Sequence, residues 1–377
     1  MEPIVIVGSG LAGYTVAREL RKIGAQSPLV IVSRDEASFY SKPMLSNAFA
    51  TGKTAAELAG SGAEAMAEQL RARILKRTEI TAIDTAARTL RAGEEVLRYS
   101  KLVLALGADP IAMPLQGDAA GEVMRVNDLA DYARFRAAIE GKRHVTLLGA
   151  GLIGCEFAND LAAAGYAVDV VDPAPQPLGR LLPEPAAARM REALQALGVR
   201  WHFGTTARRV SRSGASLRVE LSDDSLIETD AVLSAIGLEP RTALAAQAGL
   251  RVNRGIATDR FLATSAPDVY ALGDCAEVEG RVLPFVLPIM HAARALARTL
   301  SGTPTEVNYP AMPVAVKTPA LPAVVCPPPG VAGAWRITED SDGVEARFED
   351  ERDALRGFAL VGAATANKAA LVARLAA

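Results

Sequence analysis

An apolar run followed by Gly-x-Gly-x-x-Gly occurs twice in this chain, and few folds accommodate that twice. The first copy is Ile4-Val5-Ile6-Val7-Gly8-Ser9-Gly10-Leu11-Ala12-Gly13. The second is His144-Val145-Thr146-Leu147-Leu148-Gly149-Ala150-Gly151-Leu152-Ile153-Gly154. Each reads as a buried parallel strand, a tight turn and a helix N-terminus. Gly8 permits the turn, Gly10 lets the backbone approach a pyrophosphate, and Gly13 lets the helix pack on the strand. Uncommitted N–H groups and the positive end of the helix dipole then face the phosphates. Gly149, Gly151 and Gly154 repeat the arrangement. Two such cradles imply two dinucleotides, most economically a flavin and a nicotinamide.

A chain of 377 residues is long for one core and points to two or three domains. Its formal net charge of −2 gives no global attraction to nucleic acid or to a membrane surface. No basic n-region precedes the first strand, and no apolar run approaches the ~18 residues that span a bilayer. Three scattered cysteines, Cys155, Cys275 and Cys326, argue against a disulfide framework and for a reducing, cytoplasmic setting. His144, His202 and His291 are too dispersed in sequence to suggest a metal site.

After the first cradle, Pro28 to Ser33 reads as a second buried strand. Its end is Ser33-Arg34-Asp35, so the carboxylate usual at this ribose position is displaced or replaced by a hydroxyl. The corresponding strand of the second unit, Ala167 to Asp172, ends in Asp172. That carboxylate can accept from ribose hydroxyls and would repel the phosphate of NADP, which favours NADH. Ala55 to Gln69 reads as one helix, Glu184 to Leu197 as another and Met290 to Leu300 as a third. Asp109-Pro110 and Leu238-Glu239-Pro240 are breakers at candidate domain crossings. The boundaries are therefore 1–110 with 238–304 for the first nucleotide domain, 111–237 for the second, and 305–377 for a small α+β domain. In this last region prolines accumulate, and Trp335 to Ile337, Val344 to Phe348 and Gly357 to Val361 read as strands.

Five motifs occur in order: Gly8-x-Gly10-x-x-Gly13, Leu104-x-x-Gly107-Ala108, Gly149-x-Gly151-x-x-Gly154-x-Glu156, Gly237-x-x-Pro240 and Tyr270-Ala271-x-Gly273-Asp274. The set resembles the FAD-dependent pyridine-nucleotide oxidoreductases of the glutathione-reductase-like fold. The resemblance covers about the first 300 residues. It implies an α/β architecture: an FAD domain interrupted by an NAD domain, each Rossmann-like and three-layered, then a small C-terminal domain. The segment Tyr40-Ser41-Lys42-Pro43-Met44-Leu45-Ser46 and the short C-terminal domain are similar to the branch that serves rubredoxin in bacterial alkane oxidation.

That resemblance implies tightly bound FAD, NADH as co-substrate and rubredoxin as a transient, electrostatically guided partner. It assigns the FAD pyrophosphate to the backbone of Gly8, Ser9, Gly10, Leu11, Ala12 and Gly13, and the adenosine ribose to Ser33 and Arg34. Ile80 would give backbone contacts to the adenine. Asp274 would bind the ribityl chain at the start of the helix expected to follow it. Val286 would present backbone to the flavin ring, and Lys317 would reach the ring from the C-terminal domain. Lys42 and Glu156 would meet near flavin N5, the lysine stabilising the reduced ring and the carboxylate orienting the lysine.

No cysteine lies in Ser38 to Ser46, where disulfide reductases of this fold carry a Cys-x4-Cys pair. Electrons are therefore expected to leave the flavin directly, through neither triad nor metal. Two other readings stay open: a reductase serving the ferredoxin of an oxygenase, and a flavoprotein whose NADH-controlled shape acts as a binding switch.

Overall fold

The run Ile4–Val7 is the central strand of a five-stranded parallel sheet in the computed structural model, which describes residues 2–376. The chain divides into two units. The first comprises residues 1–42, 57–109 and 238–309, and the second 43–56, 110–237 and 310–377. The first unit's sheet has the order Val269–Ala271, Lys101–Leu104, Ile4–Val7, Leu29–Val32, Ala72–Leu75. Helices cover a parallel sheet on both faces, so its strands are continuous apolar runs rather than alternating ones. Val5, Ile6, Leu102, Val103 and Leu104 are all fully buried. The helix Leu11–Lys22 follows the first glycine turn directly.

The second unit repeats the plan. Its parallel sheet runs Val199–Phe203, Ala167–Asp172, His144–Leu148, Ala231–Ser234, and the helix Leu152–Ala163 follows the second glycine turn. Each parallel sheet is accompanied by a three-stranded antiparallel meander: Ile80–Asp84, Thr89–Ala92 and Glu95–Arg98 in the first unit, and Ala207–Ser213, Ser216–Leu221 and Leu226–Thr229 in the second. Thr89–Ala92, Ser216–Leu221 and Leu226–Thr229 alternate buried with less buried residues, as half-covered sheets do, while Ile80–Asp84 and Ala207–Ser213 break the alternation at a register shift near their first residues.

The residues beyond Pro310 form a five-stranded antiparallel sheet, ordered Val314–Val316, Ala323–Cys326, Leu355–Gly362, Gly343–Asp350, Gly333–Glu339, and end in the helix Lys368–Ala376. They belong to the same unit as residues 110–237. There Arg189, on the helix Glu184–Ala196, donates from Nε to Glu339 Oε1 at 2.9 Å. The strands Val314–Val316 and Ala323–Cys326 escape the sequence reading because Pro313, Pro319, Pro322 and the run at 327–329 frame them too tightly for an alternating pattern to show.

Two expectations need correction. The segment Ala55 to Gln69 is not one helix but two, Ala55–Leu58 and Ala63–Leu70. The break falls at Gly60-Ser61-Gly62, where the Gly60 N–H donates to the Phe39 carbonyl at 2.9 Å and Ser61 bridges to Phe39. Nor does a helix start directly after Asp274. A single 3-10 turn, Gly273–Cys275, leads into the strand Ala276–Val278, and the long helix begins only at Val286.

Cross-strand register creates a polar cluster in the second unit. Asp169 is 1% exposed, yet it accepts from Arg200 Nε at 3.0 Å and Arg200 Nη2 at 2.6 Å, and pairs with His202 Nε2 at 2.7 Å and with His144. Two of the histidines that look dispersed in sequence therefore share one carboxylate. No group of three or more His, Cys, Asp and Glu that could hold a metal ion occurs among the described residues. Burial pushes the Asp169 carboxyl up, but the hydrogen bonds from His144, Arg200 and His202 outweigh it and hold the group far below the usual carboxylate range. A carboxyl depressed on folding stabilises the fold above its unfolded pKa and loses that stabilisation as pH falls through the folded pKa. Asp169→Asn is expected to lower stability by about 2–3 kcal/mol at pH 7, with the difference from the parent shrinking below about pH 4. Parallel thermal melts across that range check it, and a gap that widened on acidification would refute it.

Candidate functional site

The two glycine cradles are built alike. Gly8 has φ +114°, and a Cβ there would stand 2.1 Å from the Ala105 carbonyl oxygen. A Cβ on Gly13 would stand 2.0 Å from the Gly8 carbonyl oxygen, so the helix lies directly on the turn. Gly10 differs: its Cβ would meet nothing within 4 Å. It is the N-cap of the helix Leu11–Lys22, and no side chain caps that end. In the second unit Gly149 has φ +108°, a Cβ on Gly154 would stand 1.9 Å from the Gly149 carbonyl oxygen, and Gly151, again an N-cap without a side-chain cap, faces open space. Two glycines are thus demanded by packing, while the middle one leaves room beside uncapped helical N–H groups. That room suits a phosphate.

A carboxylate closes each cradle. In the second unit Asp172 accepts from the Ala150 N–H at 2.6 Å and from the Ala174 N–H at 2.8 Å. In the first, Ser9 Oγ and Ser33 Oγ lie 2.6 Å apart, and Ser33 Oγ donates to Asp35 Oδ1 at 2.6 Å. Asp35 also accepts from the Ala37 N–H at 2.8 Å. The displaced acid of the first cradle is therefore Asp35, three residues beyond the strand end at Val32 and folded back onto the serines. Leu11 and Ala12 form the first turn of the helix, and a Cβ on Gly273 would stand 2.9 Å from that of Ala12. Ile80 is buried and opens the first unit's antiparallel meander.

Arg34 is exposed and lies 3.9 Å from Asp109, which Arg241 grips from Nη2 at 2.5 Å and from Nε at 2.8 Å. These residues join Ala108–Pro110 and Leu238–Pro240, which pair as a two-stranded ribbon where the chain leaves and re-enters the first unit. Asp274 lies in the 3-10 turn after the edge strand. Burial pushes its carboxyl up, opposed by the charges of Lys42 and Arg241. Val286 is the first residue of the helix Val286–Leu300 and is 41% exposed.

Lys42 opens the 3-10 turn Lys42–Asn47 and ends a segment of the first unit, whereas Glu156 belongs to the second. Within that second unit the cation on Glu156 is Lys317. Glu156, on the helix Leu152–Ala163, is 0% exposed. Its Oε2 pairs with Lys317 Nζ and accepts from Ser46 Oγ at 2.6 Å, and its Oε1 accepts from the Lys317 backbone N–H at 3.0 Å. One turn on, Asn159 Oδ1 accepts from the Ala320 N–H at 3.0 Å, and Asp160 accepts from the N–H groups of Phe49 and Ala50. The helix that starts at the second cradle thus uses one polar face to hold residues 46–50 and 317–320. Ser46 closes the segment Tyr40 to Ser46 that carries the resemblance, with no role assigned to it there, and Asn47 carries no signature in sequence.

Cys155, Cys275 and Cys326 are free and buried. Burial pushes the Cys155 thiol far up and the Cys275 thiol up to about 11, so neither is a thiolate near neutrality.

Residues 2–298 match the model of the pyridine nucleotide-disulphide oxidoreductase family, and residues 306–375 match that of the rubredoxin binding C-terminal domain. The chain is 52% identical over 370 residues to a rubredoxin-NAD(+) reductase of Alcanivorax borkumensis, covering 98% of this chain and 97% of the relative. It is 47% identical over 377 residues to a rubredoxin-NAD(+) reductase of Acinetobacter baylyi, covering 98% and 96%. Among solved structures, it is similar to the ferredoxin reductase of the CYP199A2 system from Rhodopseudomonas palustris, with a TM-score of 0.88, 26% identity and coverage of 96% and 91%.

Proposed function

The chain belongs to the pyridine nucleotide-disulphide oxidoreductase family, and from that premise we propose that it catalyses the NADH-dependent reduction of rubredoxin, with FAD as its resident cofactor. Bound FAD supplies the ability to accept a hydride and release its electrons singly. The observation that carries the reading is the pair of glycine cradles together with a C-terminal segment that matches a rubredoxin-binding domain.

Gly8 to Gly13 would hold the FAD pyrophosphate on uncapped N–H groups, with Ser33 and Arg34 at the adenosine ribose and Ile80 at the adenine. Asp274 would serve the ribityl chain, and Val286 and Lys317 the flavin ring. Gly149, Gly151, Gly154 and Asp172 would hold NADH. The carboxylate of Asp172 is already fixed by two backbone N–H groups, so a 2′-phosphate arriving there would meet an immobile negative charge. Lys42 would face the flavin ring and favour its gaining electrons, and Glu156 would fix the cations that serve it. The buried, high-pKa thiols fit an electron path that uses no cysteine.

The physiological role would be supply of electrons to alkane hydroxylation in the cytoplasm, by a monomer whose complex with rubredoxin is transient and weakens with salt. No helix among the described residues is long and apolar enough to cross a membrane. The ferredoxin reductase likeness keeps a second acceptor in view. Stopped-flow oxidation of the NADH-reduced protein decides between them. Purified rubredoxin is expected to reoxidise it at least about tenfold faster than a ferredoxin, and to lose that advantage as ionic strength rises past about 0.5 M. The reverse preference would overturn the assignment, and no reoxidation by either would favour a binding switch.

A further inference from the structure

We infer that Ser46 and Asn47 are positioning residues that fix the Lys317 ammonium for the flavin ring, an inference that rests on the reading of Lys317 given above. Glu156 spends both carboxylate oxygens on one residue, Oε1 on the Lys317 backbone N–H and Oε2 on its ammonium. A lysine side chain has up to about 2 kcal/mol of rotamer entropy to lose, so one charged contact leaves it mobile. Ser46 supplies a third point. Its Oγ donates to Glu156 Oε2 at 2.6 Å and stands 3.4 Å from Lys317 Nζ. A hydroxyl has one proton and two lone pairs, so Ser46 gives its proton to the carboxylate and turns a lone pair to the ammonium. Ser46 is 3% exposed, which keeps water from doing the same work.

Asn47 holds the other end. Its Nδ2 donates to the Lys317 carbonyl oxygen at 2.9 Å. Residue 317 is thus held at its N–H, its carbonyl and its ammonium by Glu156, Ser46 and Asn47. Asn47 Oδ1 is buried and without a hydrogen-bond partner among the described residues, the kind of residual acceptor that a bound ligand satisfies. Lys317 itself keeps 30% of its side chain exposed, so it is fixed without being enclosed. A fixed cation stabilises the negative charge that a flavin ring gains on reduction more than a mobile one does.

The test is the midpoint potential of FAD in the holoprotein, with melting of each variant measured in parallel. Ser46→Ala is expected to weaken stabilisation of the reduced over the oxidised cofactor about tenfold, which lowers a two-electron potential by about 30 mV. Ser46→Thr, which keeps the hydroxyl, should restore the parent potential. Asn47→Leu should shift the potential in the same direction, and decides the matter if Ser46→Ala does not fold. Lys317→Met should lower the potential at least as far. Parent potentials in Ser46→Ala and Asn47→Leu beside a lowered one in Lys317→Met would overturn the positioning role alone. A parent potential in Lys317→Met would overturn both that role and the reading of Lys317 on which it rests.

Discussion

A valine at position 10 is expected to leave the protein folded and colourless. The Gly10 backbone is extended at φ −71°, ψ −172°, which any residue can adopt, and a Cβ there meets no atom within 4 Å. Folding should therefore lose only about 1 kcal/mol, the cost of a β-branched residue in place of glycine at an N-cap. The added side chain instead fills the room beside the uncapped N–H groups, where a pyrophosphate would lie. The FAD dissociation constant should rise at least about 100-fold, or about 2.8 kcal/mol. The neighbouring glycines supply the contrast. Gly8→Ala and Gly13→Ala drive a Cβ to 2.1 Å and 2.0 Å from backbone carbonyl oxygens and should damage the fold itself. Titration of the apoprotein with FAD, beside thermal melts, separates the two effects. A Gly10→Val protein that purified yellow would remove the first cradle from the cofactor site.

Lys42→Ala is expected to slow NADH-driven flavin reduction about 100-fold, in line with removing one preorganised group that stabilises developing charge. FAD retention should change less than about tenfold, because on the proposed reading the pyrophosphate contacts would lie in the glycine turn rather than at residue 42. Rapid mixing of NADH with the holoprotein, followed at the flavin absorbance, gives the rate directly. An unchanged rate would leave Lys317 as the cation that matters. The two lysines are not equivalent in their supports: Lys317 is tied to a fully buried carboxylate, whereas Lys42 acts electrostatically on Asp274 and Asp109.

Much of this is legible in the amino-acid sequence because it is local. A glycine that must turn, a glycine that must lie under a helix and an apolar strand between them are consecutive residues, so Ile4 to Gly13 and His144 to Gly154 announce their own geometry. Asp172 at its strand end and the absence of a cysteine pair near Lys42 are likewise properties of short segments. Local pattern and tertiary demand part at two places. Ala55 to Gln69 has helical composition, but pairing of Gly60 and Ser61 with Phe39 breaks it in two. The helix expected after Asp274 is postponed by a strand that pairs with Ile256–Thr258.

The sequence by itself determined that this chain folds around two dinucleotide cradles and carries no cysteine pair where a disulfide relay would need one, since both follow from the chemistry of neighbouring residues. Only the tertiary structure decided which cation meets Glu156 within its own unit, which acid returns to the first cradle, and which residues hold Lys317 still. Lys317 stands 161 positions from its carboxylate and Ser46 stands 110. A partner that far along the chain is chosen by how the elements pack, and one sequence read residue by residue holds no record of that choice.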